Sequence, residues 1–183
     1  MRSWREWALA AGRRVRDQLD AASPLQAGVG VAVLVVAARL VVAYTWFWGA
    51  KTKHPWLDPP FGWLGGWLEV EAQYNPIPGY PWLVENVLLP NLTFLGWTAF
   101  VVESYLAVVL VLGILTRLNG WVATLWGLQI SLGNLGAPRE PIWSLLPMVV
   151  LPLLAAEGRA GRIWGIDAWL REKAAGRWWS WML

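Results

Sequence analysis

An all-α integral membrane bundle of four helices is the fold this sequence predicts, and three observations carry it. Apolar runs recur at about 25–50, 92–114, 120–136 and 140–156, the last two at the short end of the roughly 17–25 residues a crossing needs. Hydrophobic residues make up 57% of the 183 positions and charged residues 15%, against roughly 25% charged in a soluble domain. Seventeen tryptophans gather near the ends of those runs, as Trp46, Trp48, Trp97, Trp121 and Trp143 do. There an indole buries its ring and keeps its N–H at the headgroups.

The elements follow in order. Residues 1–24 read as a cytoplasmic amphipathic helix lying in the interface, with Trp4, Trp7, Val15 and Leu19 near one face and Arg2, Arg5, Arg13, Arg14 and Arg16 elsewhere. Ser23-Pro24 breaks it before the first span. Residues 25–156 form the four-helix transmembrane bundle, including an outer loop over 51–91. That loop is rich in Trp, Pro and Gly, and short helices are expected within 63–68 and 82–89, folded over the mouth as a lid. Asn91 is placed to cap the second span, and Leu118-Asn119-Gly120 to turn from the second span into the third. Gly136 to Pro141 turns into the fourth, which Pro147 and Pro152 should kink. Residues 157–183 read as a cytoplasmic interfacial segment ending in Trp178-Trp179-Ser180-Trp181.

Basic residues set the orientation. Of the 15 Lys and Arg, eleven flank one side of the spans, three (Lys51, Lys53, Arg139) flank the other, and Arg39 lies between. The positive-inside rule then puts both termini in the cytoplasm of a multi-pass cell-membrane protein.

Cysteine is absent and His54 is the only histidine. Disulfides, iron–sulfur clusters and a bis-histidine haem within one chain are excluded, and no intrinsic metal is expected. Electron chemistry would need a diffusible cofactor such as a quinone, or a partner protein subunit. No nucleic-acid motif is present.

Arg39 and Glu103 stand in mid-run, where a charge costs on the order of 3 kcal/mol or more and needs a partner or a purpose. Each lies about 16 Å from the outer end of its run at 1.5 Å per residue. They are therefore expected to meet, either as a working polar centre or as a staple fixing helix register. Gln129, Ser131 and Asn134 are available to hydrogen-bond them. Lys51, Lys53 and His54 form a basic cluster that suits an anion or is ordinary snorkelling, with His54 a proton donor by elimination. Trp46, Trp48, Trp56, Trp63, Trp67 and Trp82 suit a box for a flat ring or a belt anchor. Glu69, Glu71 and Glu85 read as solvated surface, and Asp167 as a salt bridge to Arg117 or Arg162.

Three segments carry a resemblance. Arg39 precedes Trp46-Phe47-Trp48-Gly49-Ala50-Lys51; Glu103 precedes Leu112-Gly113-Ile114-Leu115-Thr116-Arg117; and Gly161-Arg162 leads to Asp167. In this order the chain resembles the DoxX/DoxD-like family of four-helix membrane proteins, departing from it at Ala43, where glycine is expected. The tryptophan-rich outer loop is similar to the DoxD branch, associated with thiosulfate:quinone oxidoreductase as the membrane subunit beside a smaller partner. The resemblance implies a quinone-linked oxidoreductase subunit taking an anionic sulfur substrate. On that reading Arg39, Glu103 and His54 carry the chemistry, and Trp46, Trp48, Lys51 and Gln129 hold the quinone. The alternative is a non-catalytic structural or assembly subunit of a larger membrane complex.

Overall fold

The computed structural model describes residues 28–56, 59–138, 140, 142–174 and 176–183. The amphipathic helix expected over 1–24 lies outside them. Every regular element among the described residues is helical. We number them α1 (Val29–Thr52), α2 (Gly62–Tyr74), α3 (Tyr80–Leu112), α4 (Thr116–Gly133), α5 (Ile142–Glu157) and α6 (Ile166–Ala174), with short 3₁₀ turns at Ala160–Arg162 and Trp178–Met182.

Four of these pack as a ring, α3 on α1, α1 on α5, α5 on α4 and α4 back on α3. Neighbours run antiparallel. A side chain added at Gly49 of α1 would strike Glu103 of α3, and one at Gly113, just past α3, would strike Arg39. Val42, Ala43, Trp46, Leu106, Leu110 and Ala123 form the buried centre. The outward faces stay apolar, with Leu34, Val41, Phe47, Val101, Val108, Leu125 and Val150 all exposed. Only α1 and α3 are both long and apolar enough to cross a membrane, among the described residues. Four helices of the expected order are present, but spanning length and hydropathy belong to two.

The elements depart from expectation in instructive ways. α3 is continuous from Tyr80, so the outer loop is shorter than 51–91. Pro90 has no N–H for the helical ladder, and the chain absorbs this with a wide π turn at Val84–Leu88 and a tight 3₁₀ turn at Leu89–Asn91. Asn91 therefore caps nothing; its amide donates to Val87 O at 2.8 Å. The turn between α3 and α4 is at Gly113, with φ +66, and not at Leu118-Asn119-Gly120. Asn119 and Gly120 instead lie inside α4.

α4 and α5 approach closely because α4 offers glycine. Pro152 cannot donate to Met148 O, and that carbonyl lies against Gly127, where a side chain would collide with it. Gly120 meets Pro152 O in the same way, one step along. Small residues at such contacts are how helices pack when lipid gives no hydrophobic drive.

α2 is a packed wall and no loose lid. Phe61 opens it with φ +57 and drives its ring against Gly96 of α3, where any side chain would be in its way. Leu64, Leu68 and Val84 bury the rest of the contact. The C-terminal end is tied by Asn75, whose amide donates to Leu132 O at 2.8 Å and Gly133 O at 2.7 Å.

Candidate functional site

Two buried polar centres lie at opposite ends of the bundle. The first surrounds a cavity of about 510 Å³ lined by α1, α2, α3 and α4 with Met148 of α5, within the usual range for a small-molecule site. Its walls are largely indole and leucine. Trp63 and Trp67 stack in parallel, centroids 6.0 Å apart and planes 2° off, while Trp46, Trp48 and Trp126 face them from α1 and α4.

Glu103, 1% exposed, sits at the cavity wall and takes Lys53 Nζ on both carboxylate oxygens at 3.0 Å. Trp126 Nε1 donates to the same carboxylate at 3.3 Å. Lys53 reaches it because Gly49, one turn earlier on the same face, leaves room for the carboxylate. A Cβ at Gly49 would come within 2.5 Å of Glu103 Oε2. Lys53 also lies 5.5 Å from the Trp63 ring, a cation–π distance.

Across the cavity Glu71 of α2 is buried too. Tyr80 Oη donates to its Oε2 at 2.6 Å. Burial pushes the Glu71 carboxyl above the ordinary range, and the Tyr80 hydrogen bond pulls it partly back. Beside them the Trp67 indole donates to Asn134 Oδ1. Gly133 makes space for all of this, since a Cβ there would lie 2.5 Å from Tyr80 Oη and 2.6 Å from Glu71 Oε2.

The second centre is at the far end and holds Arg39. Its guanidinium donates to Ala160 O at 3.0 Å and Trp164 O at 2.5 Å, and Gly113 and Gly165 close over it. Asp167 accepts from the N–H of Leu115 at 2.6 Å and of Thr116 at 2.7 Å, holding Leu115 at φ +45 where α4 begins. In return the Asp167 N–H donates to Gly113 O at 2.9 Å. Burial pushes the Asp167 carboxyl up, opposed chiefly by those amides. The Asp167 carboxylate also acts on Arg39 through its charge.

The expected Arg39–Glu103 pair is therefore corrected. α3 starts at Tyr80, twelve residues before the run it was measured from, so depth from position 92 set the wrong register. Glu103 has Lys53, and Arg39 has carbonyls. Asp167 caps a helix and is also drawn on by the Arg162 charge, while Arg117 pairs instead with Glu157 at 3.2 Å. Trp46, expected at the headgroups, is buried in the core with its indole N–H unpartnered.

Of the other residues singled out from sequence, Trp46, Trp48 and Gln129 line the cavity with Glu103. Lys51 does not; it points outward over the Trp48 ring at 4.9 Å. His54 stands outside the cavity beside Trp56, ring centroids 6.0 Å apart, with Nδ1 buried and unpartnered. Tyr80 and Trp126 are the residues that sequence reasoning left out, while Lys53 was grouped with Lys51 and His54 and Glu71 was read as solvated surface. The spacing Gly49 to Lys53, one helical turn on one face, was a usable signal. For Glu71 only the face was readable, since Leu64, Leu68 and Glu71 lie along one stripe of α2, and not what covers it.

Protein-family models, curated protein sequences and solved structures give no match to this chain.

Proposed function

We propose that the chain is a four-helix membrane protein with both termini on the cytoplasmic side, whose cavity binds the head group of a quinone, as the membrane subunit of a quinone-linked oxidoreductase. The observation that carries the reading is an indole-walled cavity of about 510 Å³ with a buried Lys53–Glu103 pair in its wall. A flat, largely apolar ring with polar atoms at its edge fits those walls. The exposed apolar faces of α1 and α3 favour lipid as the surroundings, and a ligand dissolved in lipid then has a short path in. A resemblance to the DoxX/DoxD-like proteins, resting on the segments at Arg39, Gly113 and Gly161 to Asp167, points the same way. Those three segments meet around the Arg39 guanidinium.

On this reading Lys53, Glu103 and Trp126 set the polar edge of the site. Trp46, Trp48, Trp63 and Trp67 sandwich the ring, and Arg39 fastens the helices. Electrons come from a partner subunit that oxidises an anionic sulfur compound. Purified chain in nanodiscs should bind decyl-ubiquinone saturably, and a folded Lys53→Gln, Glu103→Gln variant should lose that binding. Unchanged binding in the variant removes the pair from the site.

A second reading, a structural subunit, is favoured by the exposed Trp164, Trp169, Trp178 and Trp181 near the C-terminus, a surface suited to another membrane protein. Purification within a larger complex without bound quinone would support it.

A further inference from the structure

Glu71 is the carboxyl of the cavity that the Lys53–Glu103 pair leaves unused. Lys53 already meets both oxygens of Glu103, and no basic side chain among the described residues pairs with Glu71. Tyr80 Oη occupies its Oε2. Oε1 has no hydrogen-bond partner among the described residues, and it is not among the atoms sealed from access, on a residue that lines the void. A phenol donating to one oxygen leaves the proton of a carboxylic acid on the other. Such an acid is a hydrogen-bond donor aimed at whatever fills the cavity.

We infer that Glu71, oriented by Tyr80, is the recognition group for an uncharged ligand bearing a carbonyl oxygen, to which its acid O–H donates from Oε1. The inference rests on the quinone reading and narrows it to a neutral, flat molecule with an oxygen acceptor on its rim, bound across from Lys53 and Glu103. It also keeps an anion out. The charged or titratable groups that face Glu71 are Tyr80 and Glu103 from α3, Lys53 after α1, and Glu140 beyond α4. The one cation among them is held by Glu103, so among the described residues a sulfur dianion meets no free positive partner in the cavity and is to be handled elsewhere in the complex.

Full-length chain in lipid nanodiscs, titrated with decyl-ubiquinone at a series of pH values and followed by tryptophan fluorescence, tests this. Wild-type affinity should be constant while Glu71 is protonated and then fall about tenfold per pH unit as it ionises. Glu71→Gln keeps a donor and should bind without that pH dependence. Glu71→Leu should bind about tenfold more weakly, the weight of one buried hydrogen bond. Tyr80→Phe removes a bond that favours the carboxylate, so the fall should move to higher pH. Saturable wild-type binding that is flat with pH, or unchanged in Glu71→Leu, overturns the role of Glu71 while leaving the quinone site standing. No saturable wild-type binding overturns both. Tighter binding of a sulfonated, anionic naphthoquinone than of decyl-ubiquinone also overturns the inference. Should the leucine variant fail to fold, infrared difference spectra of wild type decide. A protonated-carboxyl stretch that shifts on adding quinone and is missing in Glu71→Gln is expected, and no shift contradicts the proposal.

Discussion

Arg39 and Glu103 are both charges buried in apolar helices, yet they are satisfied by different kinds of partner. Arg39 donates to the carbonyls of Ala160 and Trp164, with glycines at 113 and 165 packed close against it and the Asp167 charge nearby. Glu103 is met by side chains, Lys53 and Trp126, on the wall of a cavity. Carbonyls fixed in a helix turn cannot move away from the guanidinium without unfolding something. A lysine on a flexible stem beside a void can. The first arrangement fastens the bundle, and the second can exchange a partner for a ligand.

The difference shows most in rescue. Lys53→Met strands Glu103 in the interior and should cost about 3–5 kcal/mol of stability, read by thermal melting in detergent. Adding Glu103→Leu should recover most of it, since an apolar pair of similar volume is commonly neutral. Arg39→Met should cost about 3 kcal/mol through two lost charge-assisted hydrogen bonds, and no second side-chain change should restore it, because the stranded partners are carbonyls. A rescuing partner for Arg39 would break the comparison.

A smaller effect separates the caps. Asp167→Ala removes both acceptors at the start of α4 and should lower stability by about 1 kcal/mol, with ligand binding at the far cavity unchanged. The smallest is a pH slope. Burial holds Glu71 above the ordinary carboxyl value in the folded chain, so between the unfolded and folded values the folded state keeps a proton that the unfolded state has lost. Stability should therefore fall as pH rises through that window, and Glu71→Gln should flatten the slope.

Much of this architecture was legible from residues. The four apolar runs became α1, α3, α4 and α5, because a helix lets a long apolar run satisfy its own backbone. Arg39 and Glu103 were recognisable as buried from their position in those runs. Their partners were not, because partner choice depends on register. Register turned on Pro90, which precedes the expected cap Asn91 but sits within α3, its missing N–H absorbed by a π turn. The glycines told more than their spacing suggested. Gly49, Gly113, Gly133 and Gly165 each leave room for a buried polar group from another element, a contact visible only once helices are paired. Glu71 was misread as surface, since burial of α2 comes from Phe61 wedging against Gly96, a long-range contact with no local signature.

Photolabelling with an azido-benzoquinone, followed by peptide mapping of the labelled chain, tests the assignment of a site to one end and a fastener to the other. The account predicts label on the Trp63 to Leu68 stretch of α2 and near Trp126, competed away by decyl-ubiquinone. Competed label around Gly161 to Trp164, with none on α2, would contradict it.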